Sequence, residues 1–458
     1  MAFSLFGIPS VQLKTWYLGA ITSRLEALVN DPHCQSQLAQ PNAFERPWGL
    51  YSLSVTLKMF LTQCLSDDHT CRTAVATAKD RGWLPPHASP DTGAYCRARD
   101  SLSPEGLDML VAHSGTALDQ NAHAQERWMG RQVHVVDGTG ITLPDTPQNQ
   151  AEYPQPTRQK PGCGFPVLKL VVLMSLATGA VLRYASGSLH NHDLRLFDAL
   201  RAFLSPGDVV LGDRAFGTFA TIALLIQQGV DAVFRCHHGR KTDLQTATRL
   251  GKNDYLVTWQ APPRRPAWLN PSVDLPDTLQ VREVRFQITR PGFRTKAITV
   301  VTTLLDAKRY PPCALAELYL RRWVIELWLR DIKTTMGMEM LRTKTPKRVR
   351  SELAIFLLGY NLIRTVMHDA IHTASVPLGR LSFKSAAVRL RLWWARTSHR
   401  ARGLAWLDDY KALLKDLIRD LNPCRVGRVE PRVKKRRPKP FPLMTRPRQQ
   451  LRQALLQS

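Results

Sequence analysis

The sequence lacks the features that mark disulfide-stapled, zinc-ribbon, secreted and membrane-spanning proteins. Its eight cysteines are scattered and form no C-x-x-C pair, so we expect reduced thiols rather than disulfides or a zinc ribbon. No run of about 18 uncharged apolar residues suggests a spanning helix. The N-terminus has no basic n-region and no clean cleavage site, which argues against secretion. We therefore expect a cytoplasmic protein with no membrane partner.

Acidic residues are scarce relative to basic ones. The chain has 63 Lys and Arg against 37 Asp and Glu, a formal net charge of +26. Such an excess repels itself unless a polyanion neutralises it, so DNA or RNA is the first candidate partner and an anionic membrane surface the second. With 458 residues, 44% of them hydrophobic, the chain is long enough for two or three domains with a sizeable core.

The first 125 residues have the apolar spacing of helices. In one segment Ser103 is suited to cap a helix and Pro104 to occupy its first position. We predict a helical N-terminal domain over 1–125. It could bind specific DNA or serve only as a packing domain, and no clear helix-turn-helix pattern decides between these alternatives.

From residue 126 the pattern changes to strands and helices in the order β-β-β-α-β-α-β, which predicts an α/β domain over 126–350. In a mixed sheet of this order, strands one and four can lie side by side and parallel. The first ends at Asp137 and the fourth at Asp213, and ligands collect at such strand ends. We therefore expect these two carboxylates to be neighbours although they are 76 positions apart.

Two further regions complete the predicted organisation. Residues 237–312 interrupt the α/β domain, and the alternation over 279–305 predicts a hairpin, so this part is interpreted as an inserted β subdomain. Residues 351–458 are predicted to be helical with a basic tail. The tail, 425–448, is either extended along DNA or simply solvated, since composition fits both.

The segment 319–333, YLRRWVIELWLRDIK, predicts one largely buried helix with a single polar stripe. Tyr319, Arg322, Glu326, Arg330 and Lys333 fall within about 80° of one another at helical spacing. This stripe could hold a metal ion beside a phosphate, which favours a metal-dependent enzyme acting on nucleic acid. An i, i+4 ladder of Arg, Glu and Arg is the plainer alternative.

Asp137, Asp213 and Glu326 together form a set of hard oxygen ligands. Such a set suits Mg²⁺ or Mn²⁺, and two ions can activate an attacking oxygen and stabilise a leaving one. Taken singly, a strand-end aspartate before glycine is more often a turn residue. The histidines at 190, 192, 237 and 238 fit no zinc spacing, and His190 and His192 are expected to line the cleft or cap the next helix.

These residues resemble a known family. The spacing Tyr319-x2-Arg322-x3-Glu326-x6-Lys333 is similar to the YREK motif of bacterial insertion-sequence DDE transposases. Asp137-Gly138-Thr139, Gly212-Asp213-Arg214-Ala215-Phe216 and the tail KRRPKPFPLMTRPR also look like motifs of that family. The resemblance covers about residues 90–448.

The resemblance implies an RNase H-like mixed sheet with a β-strand insertion, flanked by helical regions. It implies that Asp137, Asp213 and Glu326 ligate the metals, and that Tyr319, Arg322 and Lys333 hold the phosphate of a transposon end. Arg330 could join the phosphate contacts or form a salt bridge to Glu326. In some members a tryptophan of the insertion stacks on a flipped base, for which Trp259 and Trp268 are candidates, although a core position is the favoured role for either.

The implied activity is metal-dependent cleavage of transposon ends and strand transfer into target DNA. The expected partners are double-stranded DNA and a second copy of the chain, at the bacterial nucleoid. Two other functions stay open on the sequence. One is a DNA-binding regulator on a decayed transposase scaffold, and the other is a metal-dependent endonuclease that does not transpose.

Overall fold

Four complete α-helices precede the first strand in the part of the chain that the structure describes. The computed structural model describes residues 37–38, 44, 49–240, 242–243, 245–288, 297–374, 376–397, 404–423 and 442–457. The helices are α1 (Leu53–Leu65), α2 (Cys71–Asp80), α3 (Gly93–Asp100) and α4 (Pro104–Gln120). Ser103 caps α4 by accepting a 3.1 Å hydrogen bond from the Gly106 N–H, and Pro104 stands at its first position, as predicted. In the described part of the chain the cysteines are free thiols.

Nine strands form one mixed sheet in the order β3-β2-β1-β4-β5-β9-β8-β7-β6. Their bounds, and those of the three helices between them, are β1 (Val133–Thr142), α5 (Pro147–Glu152), β2 (Val167–Ser175), β3 (Val181–Ser188), α6 (Asp193–Arg201), β4 (Val209–Gly212), α7 (Phe219–Gln227), β5 (Asp231–Arg235), β6 (Thr248–Gly251), β7 (Asp254–Gln260), β8 (Thr278–Gln287) and β9 (Ala297–Thr302).

The first five strands have the predicted order and directions. β1, β2 and β3 form an antiparallel meander, β4 pairs parallel with β1, and β5 pairs parallel with β4. The crossovers pass through α6 and α7, whose apolar residues pack on one face of the sheet. This arrangement is the RNase H-like mixed sheet that the family resemblance implies. The segment between β1 and β2 contains the short helix α5, which Thr146 caps by accepting from the Asn149 N–H.

The strands of the predicted insertion extend the same sheet. β9 pairs antiparallel with β5, and β8, β7 and β6 continue outward as antiparallel strands. The predicted hairpin over 279–305 is confirmed as β8 and β9. Arg282 and Asp254 form a buried ion pair at 2.7 Å, and the guanidinium also donates to the carbonyl of Tyr310. The domain boundaries at 125, 237, 312 and 350 stay predictions.

The other face of the sheet is covered by the long helix α10 (Pro346–Ala374) together with α4. Before α10 come α8 (Pro312–Arg321), α9 (Val324–Arg330) and a five-residue π-helical turn (Asp331–Thr335). Asn361 of α10 fixes the packing, because its amide bonds both the N–H and the carbonyl of Val181 at the start of β3. The remaining described helices are α11 (Phe383–Thr397), α12 (Leu404–Arg419) and α13 (Arg448–Gln457).

The basic tail mostly lies outside the described residues, so the structure says nothing about its path. None of the described helices is both long enough and apolar enough to cross a bilayer.

Candidate active site

The pairing of β1 with β4 places two aspartates side by side. Val133 faces Val209 and Val135 faces Leu211, and the same register continued by two residues sets Asp137 beside Asp213. Side chains alternate along a strand, so both carboxylates share the sheet face of Val135 and Leu211, which α9 and α10 cover.

One prediction about this edge is wrong. The sequence indicates that β1 ends at Asp137, whereas the strand continues to Thr142. The cause is β2, which pairs with β1 as far as Thr142, while β4 stops at Gly212. Asp137 therefore lies inside β1, just beyond the last residue of β1 that pairs with β4.

The helical segment that carries the polar stripe is not one helix. α8 ends at Arg321 and α9 begins at Val324. Between them the chain is wound more tightly than an α-helix, because the Arg322 N–H donates to the carbonyl of Tyr319 and the Ile325 N–H donates to the carbonyl of Arg322. After Arg330 the backbone widens into the π-helical turn. The expected burial is also only partly met, because Leu320 and Leu327 are exposed.

Arg322 lies at the centre of the site. It is buried, and it donates a 3.3 Å hydrogen bond to Glu326 Oε1. Its guanidinium carbon is 5.8 Å from the ring centre of Tyr319. Among the described residues its buried Nε–H has no hydrogen-bond partner. A buried guanidinium with an unused donor is suited to a phosphate oxygen, since leaving that donor unpaired costs free energy.

Asp137 is the most perturbed carboxyl of the site. Burial, together with the nearby carboxylates of Asp213 and Glu326, raises its pKa to about 6. The Gly138 N–H, at 2.8 Å from Oδ1, and the charge of Arg322 act in the opposite direction. Asp213 and Glu326 are thus close enough to disfavour the charge of Asp137. A divalent cation with oxygen ligands would relieve that repulsion, so the residues present fit such an ion.

The three carboxylates do not converge as closely as metal ligands do. In the described part of the chain, the group whose ligand atoms all lie within 4.8 Å of one another is elsewhere. Asp213 Oδ1 accepts from the Ala215 N–H at 2.7 Å, and the largely exposed Glu326 is paired with Arg322. Each carboxylate therefore has a protein donor of its own.

Tyr319 is almost completely buried. Burial raises the pKa of its phenol, and the charges of Arg322 and Arg235 act against this. Arg235, the last residue of β5, is a neighbour that the sequence analysis missed. The available signal was its position at the carboxyl end of the third parallel strand. The contacts of Tyr319 indicate that it supports the Arg322 side chain.

The last two cations of the stripe have different surroundings. Lys333 Nζ donates to Thr139 Oγ1 at 3.1 Å, which ties the π-helical turn to β1 just beyond Asp137. Arg330 is 63% exposed, and its ion pair is with Asp331 at 3.9 Å. The alternative of a salt bridge from Arg330 to Glu326 is therefore not what the structure shows, because Glu326 is paired with Arg322.

The remaining candidates separate into core and cleft residues. His192 caps α6 by accepting from the Leu194 N–H, as predicted. Trp259 is a core residue whose indole donates to Glu283 at 2.9 Å. Trp268 lines an open cleft of about 900 Å³ together with His237 and Arg214, the residue after Asp213. Of the two tryptophans, Trp268 is the one that lines this cleft.

The RNase H-like sheet and this cluster of carboxylates and cations define a class, the nucleases and transposases that act on DNA phosphodiesters with divalent metal ions. The family model described as "Transposase DDE domain" matches residues 128–362, about half of the chain. The chain belongs to this family of DDE transposases, and it is an enzyme with DNA as its partner. The two alternative functions are not favoured.

Similar proteins agree with this assignment. The chain is 28% identical over 354 residues to the transposase InsG for insertion sequence element IS4 of Escherichia coli (strain K12), covering 76% of this chain and 77% of that protein. It is 26% identical over 137 residues to the putative transposase InsZ of the same organism, covering 30% of this chain and 46% of that protein.

A solved structure is also similar, the cryo-EM structure of the piggyBac transposase synaptic complex with hairpin DNA. The TM-score is 0.39 at 11% identity, with 82% of this chain and 76% of that chain covered. At this score the likeness adds nothing to the fold assignment, which rests on the order of the strands.

Proposed function

We propose that the chain cleaves the ends of its transposable element and joins them to target DNA through one set of carboxylates, Asp137, Asp213 and Glu326. The observation that carries this proposal is the register of β1 and β4. It sets the two aspartates side by side on the face that α9 covers, with Glu326 near enough to raise the pKa of Asp137.

The carboxylates would hold two Mg²⁺ or Mn²⁺ ions. These ions, when bound, lower the charge on the reacting phosphate, activate the attacking oxygen and stabilise the leaving one. The protein's own part is to fix the three carboxylates, to keep Asp137 ionised with the help of Arg322 and the Gly138 N–H, and to hold the DNA backbone in place.

The phosphate contacts would come mainly from Arg322 and Lys333. Arg322 offers its unused Nε–H from a buried position, and Lys333 stands over β1 beside Asp137. Tyr319 would orient Arg322. Arg330, exposed on the same segment, would reach DNA farther from the reacting phosphate.

The complete reaction would need two ends in one complex, so we propose a homodimer on DNA. The net charge of +26 would keep the protein at the nucleoid in the bacterial cytoplasm, because the DNA backbone neutralises it. Inverted repeats flanking the reading frame would give the DNA ends for an assay.

The decisive experiment is cleavage of a fragment bearing such an end by the full chain in Mg²⁺. We expect nicking at the end by the wild type and by Glu317→Gln, a control that changes an exposed carboxylate of α8. We expect loss of nicking by at least a thousandfold in Asp213→Asn and Glu326→Gln. Nicking that survives Glu326→Gln would refute the assignment of this carboxylate.

A second assay separates transposition from plain nuclease activity. A pre-cleaved end with a free 3′-hydroxyl is offered together with a supercoiled plasmid. Joined products in the wild type and none in Glu326→Gln support strand transfer. Cleavage without end preference and without joining would identify a non-transposing endonuclease, and end binding without nicking in any divalent ion would identify a regulator.

A further inference from the structure

Four side chains with metal-ligating atoms meet at the end of the molecule away from the active site. Glu126 ends the short 3-10 helix Ala124–Glu126, which precedes β1, and His123 is the N-cap residue of that helix. His368 and His372 lie one turn apart on the same face of α10, near its carboxyl end. The two segments are about 240 residues apart in sequence, and the polar stripe and the active-site aspartates contribute nothing to this group.

Glu126 is the centre of the group. His368 Nε2 is 3.1 Å from Glu126 Oε1, and His372 Nε2 is 3.5 Å from Oε2. The backbone N–H of His123 donates to Oε2 at 2.6 Å. The ring of His123 lies over that of His372, with centroids 3.9 Å apart, and the rings of His368 and His372 are 4.2 Å apart.

Three imidazole rings surround one carboxylate, and imidazole nitrogens and carboxylate oxygens are both ligands of divalent metal ions. Nδ1 of the buried His368 has no hydrogen-bond partner among the described residues. The group therefore presents nitrogen and oxygen atoms of the kind that such ions bind.

The distances match those of a metal site. Ligand atoms of His123, Glu126 and His372 all lie within 4.8 Å of one another. Around a tetrahedral Zn²⁺ with bonds of about 2.0–2.1 Å, neighbouring ligand atoms are roughly 3.3 Å apart. The 3.5 Å between His372 Nε2 and Glu126 Oε2 is already close to this value, and rotation of the exposed His123 ring would bring in the third ligand.

We propose that His123, Glu126 and His372 form a second metal site, which takes one Zn²⁺ or a similar borderline divalent ion and is separate from the active site. His368 is a positioning residue, since its Nε2–H holds the Glu126 carboxylate in the manner of outer-shell partners of metal ligands. Two histidines and one carboxylate select Zn²⁺ over Mg²⁺, which prefers oxygen ligands. The ion would join the end of α10 to the segment that leads into β1.

The test is metal binding by the full chain carrying Asp213→Asn and Glu326→Gln, two changes that weaken ion binding at the active site. The protein is stripped with a chelator, then titrated with Zn²⁺ by calorimetry and with Co²⁺ by visible absorption. We expect about one Zn²⁺ per chain and the absorption of tetrahedral Co²⁺. His123→Ala and His372→Gln should each weaken Zn²⁺ binding at least tenfold and abolish the Co²⁺ spectrum.

His113→Ala is the matched control, because His113 is an exposed histidine of α4 outside the group, and it should bind Zn²⁺ like the parent. If His372→Gln does not fold, His123→Ala decides, since His123 is exposed in a short turn. His368→Ala should weaken binding by about 10–100-fold without removing a ligand. Equal Zn²⁺ binding by parent and His123→Ala, or no binding by the parent, would overturn the proposal.

Discussion

At Asp137 the folded structure and the proposed metal binding favour different protonation states. Its carboxylate is buried next to two others, so the ionised form that would ligate a metal ion is the form that the fold disfavours. Arg322 and the Gly138 N–H reduce this cost without removing it. Such a cost is common at functional sites, where replacing the functional group stabilises the protein and removes its activity.

The Asp137→Asn variant should therefore be more stable than the wild type in the absence of divalent ions. The pKa of Asp137 is raised from 3.8 to about 6 in the folded state. Ionisation of this carboxyl thus destabilises the folded wild type, and the effect is complete above pH 6. The variant should gain roughly 1–3 kcal/mol in free energy of unfolding there, and this gain comes from removing the ionisable group. It should shrink as pH falls from 6 to 3.8 and be absent below about pH 4.

Urea unfolding at pH 7.5 and pH 4 measures this difference. Asp277→Asn, which changes an exposed aspartate, should have no effect at either pH. The same gain in stability at both values of pH would show that ionisation of Asp137 is not its cause.

Lys333 illustrates how one cation of the stripe can be tested. Lys333→Met should weaken DNA binding by about three- to tenfold, and it should lower the slope of log affinity against log salt by about 1, because one phosphate contact is lost. Filter binding or fluorescence anisotropy over a salt series gives both quantities. Lys308→Met is the control, since Lys308 is an exposed lysine of the segment that follows β9 and lies outside the polar stripe. The same slope for both variants would exclude a phosphate contact for Lys333.

α4 and the start of β3 are in close contact where Gly115 faces Val181. A Cβ atom on Gly115 would lie 2.1 Å from the carbonyl oxygen of Val181 and 3.2 Å from the Asn361 amide nitrogen. That carbonyl and amide are hydrogen-bonded to each other at 2.9 Å, so α4, β3 and α10 meet at this one point. Neither backbone nor amide can move aside cheaply, which makes glycine necessary here.

Gly115→Ala should consequently destabilise the protein by about 3 kcal/mol, since overpacking forces the two elements apart. Differential scanning calorimetry or urea unfolding of the full chain would show it. The matched control is Gly379→Ala, because a Cβ atom at Gly379 meets nothing within 4 Å. If both variants unfold alike, the contact between α4 and β3 is looser than the structure indicates.

The chain as a whole is basic, and its described residues are built around one sheet. The nine strands run without interruption from the RNase H-like part into the inserted strands, so the insertion is held by β5–β9 hydrogen bonds. The two faces of the sheet have separate cores, one under α6 and α7 and one under α4 and α10. The active-site carboxylates belong to the second face, and the proposed zinc group lies at the far end of α10.

The excess of 26 positive charges should dominate DNA affinity. If the protein neutralises 6 or more phosphates, affinity should fall by roughly a thousandfold or more between 50 and 200 mM salt, for end-bearing and unrelated duplexes alike. Anisotropy titrations across this range measure the fall. A loss of less than about tenfold would mean that few of these cations face the DNA.

The sequence by itself determined the order of the first five strands, the cap of α4, the hairpin of β8 and β9, and the residues that the family motifs share. These follow from local patterns, since alternation, helical spacing and motif spacing are all properties of neighbouring positions. The adjacency of Asp137 and Asp213 could also be inferred, because strand order fixes which ends lie together. The net charge and its implied partner needed no structure at all.

Only the tertiary structure decided the rest. It extended β1 past Asp137, because β2 continues to pair with it, and it broke the expected single helix at Arg322. It pairs Arg330 with Asp331 and Glu326 with Arg322, each as an ion pair. It also brought His123 and Glu126 to His368 and His372, a group that no local pattern signals, because its two halves come from distant segments and meet only when α10 packs along the sheet.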